Sequence, residues 1–337
     1  MEHPTRGREA PVPIAGRHRP AGVPVEPGIA RIAVDLLGGD GAPAVVVDGA
    51  LRACDADPDL NLLLVGPPEV AGELVGALSP GDRDRVSVRP VRAVVGMADA
   101  PTGAKRPDTT VRAAVAAVAE GLADAVVSAG ASGATVTAAV LGLGRWAGIR
   151  RPALVATLPA VSGPVVLLDV GASFEARPGT LARHAALGAA YAATVHHVKR
   201  PRVGLLSIGT EPGKGDRARR AADPFIAAQT LPSEARYIGL VEGYEASLGE
   251  RADVIVADGF TGNVLLKGIE GTYLRGGQDR VETPPRAAAL VGVGGVVIVC
   301  HGAATGADVA SGIALAAHLH RRAAATEIAT LLGVSHG

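Results

Sequence analysis

The chain has 337 residues with 33 basic and 33 acidic side chains, and this zero net charge argues against a nucleic-acid-binding protein, which usually carries a basic surplus. Nearly half of the residues are hydrophobic and 45 are glycine, which is typical of a globular chain rather than a disordered one. Two cysteines, Cys54 and Cys300, cannot build a disulfide framework, so a reducing cytoplasm is expected.

The ends of the chain differ in composition from its middle. Residues 1–29 are rich in proline and arginine and contain no apolar run, so we predict a flexible tail rather than a signal peptide. A single α/β domain is expected over residues 30–332, followed by a short tail over residues 333–337. The uncharged stretch over residues 125–144 is too rich in glycine, serine and threonine for a membrane-spanning helix.

From residue 30 onward one pattern returns: a short Val/Ile/Leu run, a glycine-rich turn and an alanine-rich helical stretch. The turns are, in chain order, "LLGGDG" after Asp35, "AGASGA" after Ser128, "VGASFE" after Asp169, "IGTEPGKG" after Ser207, "DGFTGN" after Ala257 and "HGAATG" after Cys300. Apolar strands that alternate with helices predict a mostly parallel sheet with helices on both faces. Because ligands bind beyond the carboxyl ends of such strands, we expect all six turns to meet at one edge.

These turns are candidates for binding an anion. Each leads into a helix N-terminus, whose unpaired N–H groups and positive dipole end attract negative charge. Glycine is also common at such turns for steric reasons alone, but six turns with polar neighbours favour a phosphate-like ligand. The candidate binding residues are Asp35, Gly38, Gly39, Asp40, Ser128, Gly130, Ser132, Gly133, Gly171, Gly209, Lys214, Asp258, Gly259, Thr261 and Gly262. Two alternatives stay open: Asp35 and Asp40 could serve only to cap a helix and close a turn, and Lys214 could be a solvated loop lysine.

Three further residues are candidates for the chemistry itself: Lys267, His301 and Asn263. Lys267 is expected about one turn into the helix after "DGFTGN", where its charge can reach a phosphoryl oxygen; a solvated surface lysine is the alternative. His301 directly follows the buried run "GVVIVC", where the turns are expected to converge. Cys300, beside it, is expected to be a small buried hydrophobic residue rather than a nucleophile.

Other site motifs fail on spacing. "GTEPGKG" has three residues rather than four before Gly-Lys, and no Ser or Thr follows its lysine, as a phosphate-binding P-loop requires. No strand is followed by a dinucleotide-binding GxGxxG with an acidic residue downstream, which argues against a dehydrogenase. No Cys/His cluster has zinc-ligand spacing. We therefore expect no metal and no organic cofactor.

Taken together, the motifs resemble those of the bacterial phosphate acyltransferases, also called acyl-ACP:phosphate transacylases or fatty acid/phospholipid synthesis proteins. The matching segments are "IAVDLLGGDGAP", "SAGASGA", "RPAL", "LLDVGA", "LLSIGTEPGKG", "DVIVADGFTGNVLLKGIEG" and "HGAA". The resemblance implies a homodimeric α/β fold similar to isopropylmalate dehydrogenase and phosphotransacetylase, with one catalytic domain. It also implies transfer of a fatty acyl group from acyl carrier protein (acyl-ACP) to inorganic phosphate for phospholipid synthesis, in the cytoplasm or at the membrane surface.

The chain departs from the family pattern at several turns. The residues that differ are Ala131, Ser173, Glu175, Thr210, Pro212 and Val299. After Gly271, "TYLRGGQDRVETPPRAAA" is too short for the family's helical hairpin, which argues against that hairpin's membrane contact and the usual dimer geometry.

Three interpretations stay open: a diverged acyltransferase, a paralogue that only binds phosphate or carrier protein, and a phosphotransacetylase-like enzyme that uses acyl-CoA. Two basic groups are candidates for contact with an acidic carrier protein, with solvated surface charge as the alternative. They are Arg145, Arg150 and Arg151, and Lys199, Arg200 and Arg202.

Overall fold

The computed structural model describes residues 28–175, 177–275 and 287–335. The tail predicted over residues 1–29 lies almost wholly outside these ranges, so the predicted division into a tail, one domain and a second tail stays a prediction. The segment expected in place of a helical hairpin is described only at its ends, because residues 276–286 lie outside the described ranges.

Eleven strands in the described residues form one sheet, with the order β3-β2-β1-β4-β11-β10-β5-β6-β9-β7-β8. The strands are β1 (Ala30–Asp35), β2 (Leu60–Gly66), β3 (Val86–Pro90), β4 (Ala125–Ser128), β5 (Ala153–Ala160), β6 (Gly163–Leu168), β7 (Arg202–Leu206), β8 (Arg236–Val241), β9 (Val254–Val256), β10 (Ala287–Val291) and β11 (Val296–Cys300). Most neighbouring pairs are parallel.

Helices cover both faces of this sheet. They are α1 (Ala44–Ala56), α2 (Pro68–Ala77), α3 (Pro80–Arg83), α4 (Thr110–Ala119), α5 (Ser132–Leu143), α6 (Pro178–His196), α7 (Arg217–Ala228), α8 (Glu245–Leu248), α9 (Gly259–Arg275), α10 (Gly306–Arg321) and α11 (Ala324–Leu331). Helices α4, α5, α8 and α9 pack on one face, and α1, α2, α6, α7, α10 and α11 on the other. The predicted mostly parallel sheet with helices on both faces is confirmed.

The alanine- and glycine-rich composition lets helices approach the sheet closely. A Cβ on Gly188, in the middle of α6, would lie 2.5 Å from a methyl group of Val254 in β9 and 2.8 Å from one of Leu168 in β6. No side chain fits at that distance, so glycine is required where α6 crosses these strands. In the described residues, no helix is both long and apolar enough to cross a bilayer.

Two hairpins reverse the direction of the sheet in its middle. Only residues 161–162 separate β5 from β6, and only residues 292–295 separate β10 from β11; both pairs are antiparallel, as is β10 with β5. As a result β1, β4 and β11 run one way, and β6, β7 and β9 run the other way. The expectation that all six turns meet at one edge is therefore wrong. The turns after β1, β4 and β11 form what we call the first edge, and those after β6, β7 and β9 form the opposite, second edge.

Candidate functional site

At the first edge, the turns after β1 and β4 are bonded to each other. The Asp35 carboxylate accepts from Ser128 Oγ at 2.8 Å and from the Leu37 N–H at 3.2 Å, and Ser128 Oγ accepts from the Gly130 N–H at 3.1 Å. A Cβ on Gly38 would lie 2.6 Å from the Gly130 nitrogen. Burial raises the pKa of Asp35. These four predicted residues come together as the frame of the first edge.

The turn after β11 joins the same frame. The Asp40 N–H donates to the Gly302 carbonyl oxygen at 2.8 Å, and a Cβ on Gly39 would lie 3.2 Å from both the Gly302 oxygen and the Ala129 side chain. His301 immediately precedes Gly302 and is exposed. The first edge thus places His301 beside three of the six turns, and its role in the chemistry stays a prediction.

At the second edge, a buried carboxylate organises the turn after β6. Asp169 accepts from the N–H groups of Gly171, Ala172 and Ser173 at 2.8–3.0 Å, from Ser173 Oγ at 2.8 Å and from the Leu154 N–H at 3.1 Å. Asp169 was not among the site residues predicted from the sequence. Its signal was an aspartate between the apolar run "VVLL" and a glycine turn, the same arrangement that led to the selection of Asp35.

The start of α9 already carries a carboxylate. Asp258 accepts from the Thr261 N–H at 2.9 Å, from Thr261 Oγ1 at 2.8 Å and from Arg219 Nη2 at 2.6 Å. Burial alone would raise the pKa of Asp258, but the bonds from Thr261 and Arg219 hold the pKa below its ordinary value. Asp258 is therefore a helix cap that occupies the place predicted for a bound anion.

The glycines beside this cap have a packing role. A Cβ on Gly259 would lie 1.9 Å from the Ser173 carbonyl oxygen, and one on Gly262 would lie 2.0 Å from the Asp169 carbonyl oxygen. Close contact between α9 and the turn after β6 thus explains both glycines without a ligand, and phosphate binding by them stays a prediction.

Helix α9 connects the two edges. Lys267 is its ninth residue and lies about 12 Å along the helix axis, so the expectation of one turn is wrong. From there Lys267 Nζ reaches Nε2 of His301, whose Nδ1 accepts from the Ala303 N–H at 3.1 Å. Lys267, on the helix that follows β9 at the second edge, thereby contacts His301, which follows β11 at the first edge.

His301 also lines a small cavity of about 60 Å³, which we call the central crevice. Its lining includes Ser132 from α5, Asn263 and Glu270 from α9, and His301 after β11. A volume of this size exceeds that of a single water, which needs roughly 10–15 Å³. The crevice therefore has room for more than one water molecule.

Each crevice side chain is placed by its own element. Asn263 Nδ2 donates to the Val170 carbonyl oxygen at 2.8 Å, which fixes the amide beside the turn after β6. Ser132 begins α5, and among the described residues its N–H and that of Gly133 donate to no protein acceptor. Glu270 shares one face of α9 with Asn263 and Lys267, at positions i, i+4 and i+7.

Glu270 was not selected from the sequence, although it follows Lys267 by three residues. Its burial raises the pKa of its carboxyl group, and the nearby His301 and Lys267 side chains oppose that change. The helical spacing was the signal that could have identified it.

One departure from the family pattern lines this crevice, and a second directly precedes the lining residue Ser132. Val299 lines the crevice and is 5% exposed. Ala131 is the N-cap of α5 and has no side-chain hydrogen bond. The central crevice is therefore less polar than the family pattern predicts.

Gly209 and Lys214 are not brought to the crevice. They lie in the turn after β7 at the second edge, where Lys214 is exposed and Gly209 is buried beside the Lys214 and Glu211 side chains. Thr210 and Pro212, also in this turn, are exposed. A phosphate-binding role for the β7 turn stays a prediction.

Comparison with known proteins agrees with the motifs. A family model described as fatty acid synthesis protein matches residues 30–276. A phosphate acyltransferase of Desulfitobacterium hafniense strain Y51 is 44% identical over 244 residues, which cover 72% of this chain and 70% of the relative. One of Anaeromyxobacter sp. strain K is 38% identical over 338 residues, which cover 91% of this chain and 92% of the relative.

The fold is also similar to that of a solved phosphotransacetylase from Streptococcus pyogenes. The TM-score is 0.62 at 19% identity, with 87% of this chain and 94% of the other covered. At that identity the similarity concerns the fold, and it confirms the predicted phosphotransacetylase-like architecture.

Proposed function

The chain belongs to the phosphate acyltransferase family, and we propose that it transfers a fatty acyl group from the thioester of acyl-ACP to inorganic phosphate. A phosphate oxygen bonds to the carbonyl carbon, the carbon–sulfur bond breaks, and the phosphate proton passes to the departing thiolate. The products are an acyl phosphate, which serves phospholipid synthesis, and the free carrier thiol.

One observation carries this proposal: two hydrogen-bond donors are aimed at one point. Because His301 Nδ1 accepts from the Ala303 N–H, a neutral imidazole carries its proton on Nε2, which faces Lys267 Nζ. An ammonium group and an imidazole N–H cannot satisfy each other. A phosphate oxygen that accepts from both would separate the two nitrogens, which are in direct contact in this structure.

The remaining crevice groups fit the acyl half of the reaction. Phosphate needs no enzymic nucleophile, so the protein has only to hold the two reactants together and to stabilise the oxyanion that develops on the carbonyl. The unpaired N–H groups of Ser132 and Gly133 are suitable donors for that oxyanion, and Asn263 lines the same cavity. No cofactor takes part in this scheme.

The test is acyl phosphate formation from acyl-ACP and phosphate, trapped as the hydroxamate. We expect Lys267→Ala to lower kcat/KM about 10²-fold, because a cation that stabilises the phosphate in the transition state is lost. Arg322→Ala is the control with the same loss of one positive charge, since Arg322 is exposed and lies outside the lining of the crevice. Unchanged turnover in the Lys267 variant would remove this lysine from the mechanism.

The acyl-CoA alternative is tested with the same assay. Turnover of acyl-CoA with none of acyl-ACP would replace the proposed donor. Phosphate or carrier binding without any hydroxamate would favour the binding paralogue. The apolar Val299 in the lining of the crevice supports that interpretation.

A homodimer in the cytoplasm, with or without contact to the membrane surface, belongs to the same proposal. Sedimentation of the full chain at two concentrations checks the dimer, and co-sedimentation with phospholipid vesicles checks the membrane contact.

A further inference from the structure

A second, larger cleft opens beside the central crevice. It has a volume of about 1010 Å³ and lies between α5, the start of β5 and the segment that leads from β6 into α6. Four arginines line it: Arg150, Arg151, Arg177 and Arg183. We call it the arginine cleft.

The positive charge of this cleft is not balanced within the described residues. None of the four guanidinium groups has an ion pair or a side-chain hydrogen bond there, whereas Arg31, Arg202 and Arg219 each meet a carboxylate within 2.7 Å. The one carboxylate among the described lining residues is Glu175. Four like charges gathered around one cleft repel each other unless an anionic partner enters it.

The arginine cleft lies next to the crevice. Gly133 lines the cleft and its neighbour Ser132 lines the crevice; Ala172 lines the cleft and Val170, two residues earlier, lines the crevice. The first turn of α5 and the turn after β6 thus form the boundary between the two. A partner held in the cleft has a short path for its thioester to Lys267 and His301.

The size and chemistry of the cleft fit a protein surface. Its volume is at the upper end of the roughly 300–1,000 Å³ typical of small-molecule pockets. Phe174, which also lines it, is 84% exposed. Arginine and aromatic side chains are the types enriched at the energetic centres of protein–protein interfaces. An exposed phenylalanine amid four unpaired arginines matches an acidic protein surface with an apolar centre.

We propose that the arginine cleft is the docking surface for the acidic face of the acyl carrier protein, with Phe174 as its apolar anchor. The inference rests on the proposed function, which makes carrier protein the donor. It also changes the sequence-based expectation: Arg150 and Arg151 join Arg177 and Arg183, whereas Arg202 of the second predicted group is committed to Asp253 at 2.7 Å.

Charge reversal tests the docking surface. In the full chain, Arg150→Glu with Arg183→Glu is compared with Arg236→Glu with Arg322→Glu, a control with the same charge change at positions outside the cleft. The donors are acyl-ACP, acyl-CoA and acyl-pantetheine, which has no carrier and no nucleotide.

For the cleft variant we expect KM for acyl-ACP to rise at least about tenfold with little change in kcat, and kcat/KM for acyl-pantetheine to stay within about twofold. Added salt should lower kcat/KM for acyl-ACP in the unsubstituted chain and not in the cleft variant. An unchanged KM, an equal loss with acyl-pantetheine or acyl-CoA, or an equal loss in the control would overturn the proposal.

A direct binding measurement separates this inference from the proposed function. Fluorescently labelled holo-carrier protein should bind the unsubstituted chain, and Phe174→Ala should weaken that binding about tenfold without lowering the thermal midpoint. Docking with no acyl phosphate from any donor would refute the proposed reaction and leave the surface standing. Equal binding to the unsubstituted chain and both cleft variants would refute the surface alone.

Discussion

At the scale of single residues, Asp169 supports the site although it lies outside the crevice. Its carboxylate holds the turn after β6, and the backbone of that turn contacts α9, since the Ser173 and Asp169 carbonyl oxygens lie against Gly259 and Gly262. Helix α9 carries Lys267 to His301. The position of the catalytic candidates therefore depends on a buried carboxylate that, within the described residues, has no hydrogen bond to any of them.

We expect Asp169→Asn to lower the free energy of unfolding by about 3 kcal/mol, because the new NH₂ group faces N–H donors and leaves several of them unsatisfied in the interior. Urea denaturation measures the change. Asp108→Asn is the control: this side chain is 69% exposed, and we expect a change within about 0.5 kcal/mol. A loss for Asp169→Asn as small as for the control would show that the turn is held by other contacts.

At the scale of elements, two helices that begin at the first edge are capped differently. Helix α10 has a capping box, in which Thr305 Oγ1 accepts from the Asp308 N–H and the Asp308 carboxylate accepts from the Thr305 N–H. Helix α5 begins after Ala131, which offers no side-chain acceptor. The N–H groups at the start of α5 are left available at the crevice, and this availability lowers the stability of the helix.

Opposite substitutions at these two caps should have opposite effects. We expect Ala131→Asn to raise the free energy of unfolding by about 1 kcal/mol, since an asparagine oxygen accepts from the first-turn N–H groups, and Thr305→Ala to lower it by about 1 kcal/mol. Urea unfolding of both variants checks the pair. If Ala131→Asn lowers stability, the start of α5 has no room for a capping side chain.

At the scale of the whole molecule, the sequence predicts the layers of the fold but not the arrangement of its turns. Alternating apolar runs and helical stretches predict a covered, mostly parallel sheet, because those patterns are local. These local patterns do not show whether two neighbouring strands run parallel or antiparallel. That direction follows from connection length: a parallel crossover needs a dozen or more residues, whereas β5–β6 and β10–β11 are joined by two and four residues. These short connections were the overlooked signal that three turns lie at each edge.

Long-range contacts were beyond the reach of sequence patterns. Lys267 and His301 are 34 residues apart, and their meeting depends on how far α9 extends across the sheet. Arg150 and Arg183 lie in the same cleft because of where α6 begins relative to β5. The sequence motifs identified Ser132, Asn263 and His301 but not Glu270, and packing brought all four to the crevice.

The pH dependence of global stability should follow from a histidine at the end of α6. Burial, with smaller effects of the neighbouring His318 and His197, lowers the pKa of His196 from 6.5 to about 4, and its Nε2 lies 2.9 Å from Thr157 Oγ1 in β5. Between those two pH values the unfolded chain binds a proton that the folded chain does not. The contribution of His196 to stability is therefore complete above pH 6.5 and is lost as the pH falls toward 4.

We expect this loss to amount to roughly 3 kcal/mol at pH 4, because each pKa unit corresponds to about 1.4 kcal/mol. His196→Gln keeps a partner for Thr157 but cannot titrate, so its free energy of unfolding should fall less steeply over the same range. Burial also lowers the pKa of His184, which stays in the variant and leaves part of the slope. The two curves, measured by urea denaturation from pH 8 to pH 4, should run parallel above pH 7 and converge or cross below pH 6. Parallel curves throughout would show that His196 does not have to be deprotonated for α6 to pack on the sheet.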